Sequence, residues 1–165
     1  MSRPSDDEKT ETIRAENDGG YDLLIETGIY DGNCRALHLA DTFAERIVID
    51  VNLGNCERAL EADPLLNVWH GDSALILGTL LLSIERPALF WLDAHPMTVQ
   101  EPSPLLAELA AISAWQHGAR STVLIDDMRL MGEGAWPTIG EVCGACVSTW
   151  DVRVYNDIMR CTPKP

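Results

Sequence analysis

Residues 22–32 read Asp-Leu-Leu-Ile-Glu-Thr-Gly-Ile-Tyr-Asp-Gly. Leu23, Leu24 and Ile25 form an unbroken apolar run, which suits a strand buried on both faces of a parallel sheet. Glu26 falls at the carboxyl end of that strand, the edge where open α/β sheets bind ligands. Gly28 and Gly32 allow a sharp turn and a close approach of the backbone to whatever is bound. The spacing is Glu-x-Gly-x-x-x-Gly rather than Gly-x-Gly-x-x-Gly. A dinucleotide places its pyrophosphate on the following helix N-terminus, and a carboxylate beside it would repel the phosphates. An acidic first turn suits a ligand with a cationic or hydroxyl-rich edge instead. A strand-turn-helix with incidental glycines explains the same residues without any ligand.

Outward from this stretch, strand and helix signals alternate, as in a parallel sheet covered by helices. After the Asp22–Glu26 strand, Ala36, Leu37, Leu39, Ala40 and Phe43 give an apolar face to an expected helix over 32–43. Further strands are expected over 46–50, 67–70, 88–93 and 121–126, with helices over 53–61, 73–83, from Ser103-Pro104, and 138–149. In the helix opened by Ser103-Pro104, proline suits the first helical position, and Leu105, Leu109 and Ile112 point inward. The stretches 151–155 and 158–162 predict a closing antiparallel hairpin around Asn156-Asp157. The expected architecture is a single doubly wound α/β domain over residues 21–165. Residues 1–20 form an acidic, partly disordered lead-in with room for a short helix over 8–16.

Composition narrows the function. The chain has 165 residues and a formal charge of −14, leaving no Lys/Arg surplus to neutralise phosphates, so neither nucleic acid nor an anionic membrane is an expected partner. Five cysteines in a chain without a small disulfide framework read as reduced thiols of a cytoplasmic protein. Cys143-x-x-Cys146 lies in an expected helix, and no second ligand pair with zinc spacing follows it. Trp115, Trp136 and Trp150 lie outside the strands, and exposed tryptophan favours interfaces, so a homodimer is expected.

Four expected strands end in a carboxylate: Glu26, Asp50, Asp93 and Asp126. Parallel strands share a direction, so these side chains gather along one sheet edge. Any one of them is explained by capping a helix; four in succession are harder to explain so. Asp50, 22 residues after Gly28, is placed to accept hydrogen bonds from ribose hydroxyls. Asp72 could reach an adenine amino group or simply cap its helix. S-adenosylmethionine, with its ammonium and sulfonium, is a ligand that suits such an edge. Asp93, Asp126 and Asp127 together make an oxygen-rich site fitting Mg²⁺, Mn²⁺ or Ca²⁺. His95 is a fourth ligand or a general base.

In this order, Ile25–Gly32, Val48–Asp50, Gly71-Asp72-Ser73, Ala88–His95, Pro104-Leu105-Leu106 and Leu124–Asp127 resemble class I S-adenosylmethionine-dependent methyltransferases. The nearest resemblance is to an uncharacterised bacterial group opening Ile-Glu-Thr-Gly-x-Tyr-x-Gly. The resemblance implies a Rossmann-like sheet of order 3-2-1-4-5-7-6 with the last strand antiparallel. It implies cofactor binding by Glu26, Gly28, Tyr30, Gly32, Asp50, Asp72 and Ser73. It also implies metal binding by Asp93, Asp126 and Asp127, and catalysis by Asp93 and His95. The segment Pro96–Gln100 departs from the family pattern, being short and lacking a Gly-rich insert. The expected function is methylation of a small molecule, at oxygen, aided by a divalent cation. The alternatives are a non-catalytic cofactor-binding or assembly subunit, or a non-methylating reaction on S-adenosylmethionine. Replacing Gly28 by Val is expected to remove cofactor binding and spare the fold.

Overall fold

In the computed structural model, which describes residues 3–17 and 20–165, seven strands form one sheet of order β3-β2-β1-β4-β5-β7-β6. The strands are β1 (Leu23–Thr27), β2 (Glu45–Asp50), β3 (Asn67–His70), β4 (Leu89–Leu92), β5 (Thr122–Ile125), β6 (Trp150–Tyr155) and β7 (Ile158–Pro163). The first five are mutually parallel, and β7 runs antiparallel to both β5 and β6. Asn156 and Asp157 make the β6–β7 turn with φ of 51° and 63°, the left-handed pair that a two-residue hairpin requires.

All five residues of β1 are buried, as its unbroken apolar run requires. Leu23 and Ile25 pack with Phe90, Leu77, Leu105 and Leu109 on one face. Leu24 packs with Trp91, Phe43 and Leu39 on the other. The covering helices are α1 (Asp6–Glu16), α2 (Leu53–Ala62), α3 (Ser73–Leu81), α4 (Leu105–Ala114) and α5 (Ile139–Cys146). Parallel pairing runs past the strand ends: Asp93 N–H donates to Thr27 O at 2.9 Å and Asp126 N–H to Leu92 O at 3.2 Å. This continued register brings the carboxyl ends of β1, β4 and β5 into step and so builds the site.

Three expectations change. The helix expected over 32–43 is instead two short 3₁₀ segments, Tyr30–Gly32 and Arg35–Leu39. Asp31 adopts φ 51°, and the Glu26 carboxylate takes the Arg35 and Ala36 N–H groups, so the amides that would open an α-helix are held against β1. Within the acidic lead-in, residues 6–16 are a docked helix, while residues 1–2 and 18–19 lie outside those described. Its Ser5–Glu8 capping box and acidic first turn stabilise the helix start. Finally, Trp115, Trp136 and Trp150 are 9%, 5% and 1% exposed. They pack within the chain, Trp150 Nε1–H donating to Gly118 O and Ser121 O at 3.0 Å each, which removes the argument from exposed tryptophan for a homodimer. All five cysteines are free, and no helix among the described residues is long and apolar enough to cross a membrane.

Candidate active site

The carboxyl edge of β1, β4 and β5 carries most of the titratable groups singled out by the sequence. Gly28 turns the chain out of β1 with φ +91°, and a Cβ there would lie 2.3 Å from Asp93 O. Gly28 therefore serves the approach of two backbones, β1 to the segment after β4, which differs from the expected approach of backbone to ligand. Gly32 is similar: its φ is +80°, and a Cβ would meet Arg58 Cβ at 2.6 Å.

Glu26 is 2% exposed. Its Oε1 accepts from Arg35 N–H at 2.8 Å and its Oε2 from Ala36 N–H at 2.7 Å. Each oxygen thus holds one amide of the following segment, and Glu26 fixes the loop after β1. Burial pushes its pKa up to about 7 against the lowering effect of those two amides. Asp50 is 9% exposed and accepts from Ile29 N–H at 2.5 Å, Asn52 N–H at 2.6 Å and Asn55 Nδ2 at 3.4 Å. A carboxylate offers about four lone-pair sites, so Asp50 retains capacity for further donors. Asp72 is exposed, and one of its oxygens caps α3 at Ala74 N–H, 2.9 Å. The other oxygen accepts no side-chain or backbone donor among the described residues. Ser73 is buried, whereas Tyr30 is 74% exposed.

Val51 and Leu75, 71% and 77% exposed, follow Asp50 and Asp72 closely and add apolar surface beside these two carboxylates. His70 lies 3.1 Å from Val51 O through Nε2, tying the β2 and β3 ends together. This edge offers carboxylate acceptors for hydroxyl and amino donors together with exposed apolar side chains.

At the β4–β5 side, Asp93, His95 and Asp127 offer ligand atoms that all lie within 4.8 Å of one another, the one such cluster among the described residues. Asp126 is not among them. It is fully buried and paired with Lys9 of α1, itself 3% exposed, and its other oxygen accepts from Asp127 N–H at 2.8 Å. The expected trio of Asp93, Asp126 and Asp127 is therefore not the one assembled; His95 stands in for Asp126.

His95 Nε2 lies 3.1 Å from Asp126 O. A carbonyl can only accept, so Nε2 carries the proton in the neutral ring and Nδ1 keeps its lone pair. That Nδ1 is buried and has no partner among the described residues. Burial pulls the His95 pKa down, which favours this neutral form. Trp136 packs against the ring with centroids 4.5 Å apart and holds it in place.

The charges at this edge are unbalanced. Burial, and next the charge of Asp126, push Asp93 well above the usual carboxylate range. Asp126 is raised as well, burial outweighing the pull of Lys9. Arg129 Nη1 lies 2.6 Å from Asp127 and also pairs with Asp157. Four carboxylates, Glu26, Asp93, Asp126 and Asp127, thus meet three cations, Lys9, Arg35 and Arg129, of which Arg35 is shared with Asp6 and Arg129 with Asp157. Clustered carboxylates hold protons in place of a missing positive charge, and an added cation would release those protons. An imidazole clustered with two carboxylates fits a divalent ion accepting nitrogen and oxygen donors.

Lys9 and Arg129 were not singled out by the sequence reading, and Trp136 only as an interface residue. Lys9 and Ile13 are four apart and both buried, a helical stripe, but one lysine in an acidic run reads as solvated. Glu108 had a clearer signal. With Leu105, Leu109 and Ile112 it completes an i, i+3, i+4, i+7 stripe, and it is 1% exposed.

No protein-family model matches the chain, and no curated protein matches it significantly. Solved structures do resemble it. An O-methyltransferase from Bacillus cereus bound to SAH has a TM-score of 0.70 at 12% identity, over 98% of this chain and 84% of that one. The N-methyltransferase NodS from Bradyrhizobium japonicum, bound to S-adenosyl-l-homocysteine, has a TM-score of 0.66 at 12% identity, over 99% and 90%. A TehB-like SAM-dependent methyltransferase from Corynebacterium glutamicum has a TM-score of 0.65 at 14% identity, over 94% and 87%. The chain has the Rossmann-like fold of these methyltransferases, with the β7–β6 hairpin closing the sheet.

Proposed function

We propose that the chain is an S-adenosylmethionine-dependent methyltransferase of a small-molecule acceptor, acting at oxygen with a divalent cation, in a reducing cytoplasmic setting that suits its five free thiols. The observation that carries the reading is the cluster of Asp93, His95 and Asp127 at the carboxyl edge of a sheet shared with methyltransferases. Further support comes from the neighbours whose structures contain the demethylated cofactor.

Methyl transfer is an in-line displacement at sulfonium, so the protein contributes chiefly orientation. Asp50 would accept the ribose hydroxyls and the free oxygen of Asp72 the adenine amino group, with Val51 and Leu75 flanking the base. Gly28 and Glu26 fix the turn between the ligand edge and Asp93. Asp93, His95 Nδ1 and Asp127 would hold the cation. When bound, a divalent ion lowers the pKa of an acceptor hydroxyl. The neutral His95 tautomer leaves one nitrogen free, so Nδ1 can bind the ion or take the acceptor's proton, but not both at once.

The test follows demethylated cofactor and methylated product over a panel of small hydroxyl and amine acceptors, with Mg²⁺ and with a chelator. Product formed only with the ion, and lost in Asp127→Asn, is the expected result. Full turnover under chelation would leave His95 as the base and remove the ion. Cofactor binding without turnover of any acceptor would favour a non-catalytic binding subunit.

A further inference from the structure

Lys9 is the one buried cation that α1 sends into the sheet edge, and nothing in the transfer chemistry uses it. Taking an ammonium out of water costs several kcal/mol unless carboxylates meet it closely. Here it lies 3% exposed against a fully buried Asp126, whose chain neighbour Asp127 belongs to the Asp93–His95–Asp127 cluster. The remaining side-chain ties of α1 are of a different kind. Ile13 is buried, Arg14 pairs with an Asp41 that is 70% exposed and Arg35 with an Asp6 that is 62% exposed, while Glu16, at the far end of the helix from Lys9, pairs with a buried Arg160 at 2.7 Å. Exposed pairs contribute little to holding a helix down. Lys9–Asp126 is thus the polar contact by which α1 reaches the site itself, Glu16–Arg160 anchoring the opposite end of the helix.

We propose that Lys9 is an internal cation competing with the divalent ion of the proposed site, so that ion binding and docking of α1 oppose one another. The inference rests on the ion-binding reading above. A doubly charged ion among Asp93, His95 and Asp127 is repelled by an ammonium on the adjacent Asp126, and a low-dielectric setting strengthens that repulsion. When Lys9 withdraws, the oxygen of Asp126 that it held becomes free to join the ion, completing the aspartate set expected from sequence. The docked helix is then the ion-free form and the released helix the ion-bound one. By linkage, whatever the ion loses to Lys9, α1 loses to the ion.

The experiment titrates the full chain with Mn²⁺ by calorimetry, comparing the parent with Lys9→Met and Lys9→Gln. Amide exchange over residues 6–16 of the unaltered chain is followed in the same titration. Mn²⁺ should bind either variant about tenfold tighter than the parent, a coupling within the usual range. In the parent, saturating Mn²⁺ should speed exchange in α1 about tenfold. Equal or weaker binding by the folded variants, or unchanged α1 exchange at saturating Mn²⁺, overturns the competition and leaves the ion site standing. If a variant does not fold, the exchange measurement on the parent decides. If no chain binds Mn²⁺ at millimolar concentration, the ion site and the competition fall together.

Discussion

Glu108→Gln offers a quantitative check on the buried side of the site. Glu108 is 1% exposed in α4, and burial raises its pKa to about 7 from 4.5. The Ser73 and Thr27 hydroxyls lie near enough to oppose that rise, yet Glu108 Oε1 and Thr27 Oγ1 close no hydrogen bond. A carboxyl with a raised folded-state pKa holds its proton longer in the folded than in the unfolded chain. Its stabilising effect is complete below about pH 4.5 and is lost as pH climbs through about 7. With those two values, linkage gives a loss on the order of 2 to 3 kcal/mol between pH 5 and pH 8 from Glu108 alone. Glutamine has nearly the same shape and does not titrate. Urea unfolding of parent and variant at both pH values isolates the effect, because Glu26, Asp93 and Asp126 contribute equally to each chain. The variant should gain roughly 2 to 3 kcal/mol relative to the parent on going from pH 5 to pH 8. A stability difference that is the same at both pH values would refute the argument.

Gly28→Ala should cost about 3 kcal/mol or more, read as a lower thermal or urea midpoint. The new Cβ would fall 2.3 Å from Asp93 O at a φ of +91°, and a backbone oxygen cannot move aside cheaply. An unchanged midpoint would contradict it. The expected intact fold of Gly28→Val is withdrawn on the same ground. Thr138→Ala removes one half of the capping box of α5 and should cost about 1 kcal/mol in urea, with no change in cofactor affinity.

Much of this architecture was legible because it follows from direction and period. Glu26, Asp50, Asp93 and Asp126 end strands that share one direction, so their gathering at one edge needed only the alternation of elements. The β6–β7 hairpin was marked by Asn156-Asp157, two residue types that tolerate a left-handed backbone. What could not be read came from contacts distant in sequence. Ala36, Leu39 and Phe43 have a helical period, but the Glu26 carboxylate holds the Arg35 and Ala36 amides and leaves a 3₁₀ turn. Asp126 reads as a ligand until Lys9, 117 residues away, is seen to hold it. His95 was expected as a fourth ligand or a base, but that it takes the place of Asp126 follows only from the cluster it makes with Asp93 and Asp127. Glu108 is the converse case, since its place in the α4 stripe was readable from the start.

The central claim is tested most directly by calorimetric titration of the full chain with S-adenosylmethionine, its demethylated product and NAD, alongside Asp50→Ala. Saturable one-site binding of the first two, no heat with NAD, and at least tenfold weaker binding by a folded Asp50→Ala are expected. Comparable binding of NAD, or parent and variant binding S-adenosylmethionine equally, would contradict the assignment of this sheet edge to that cofactor.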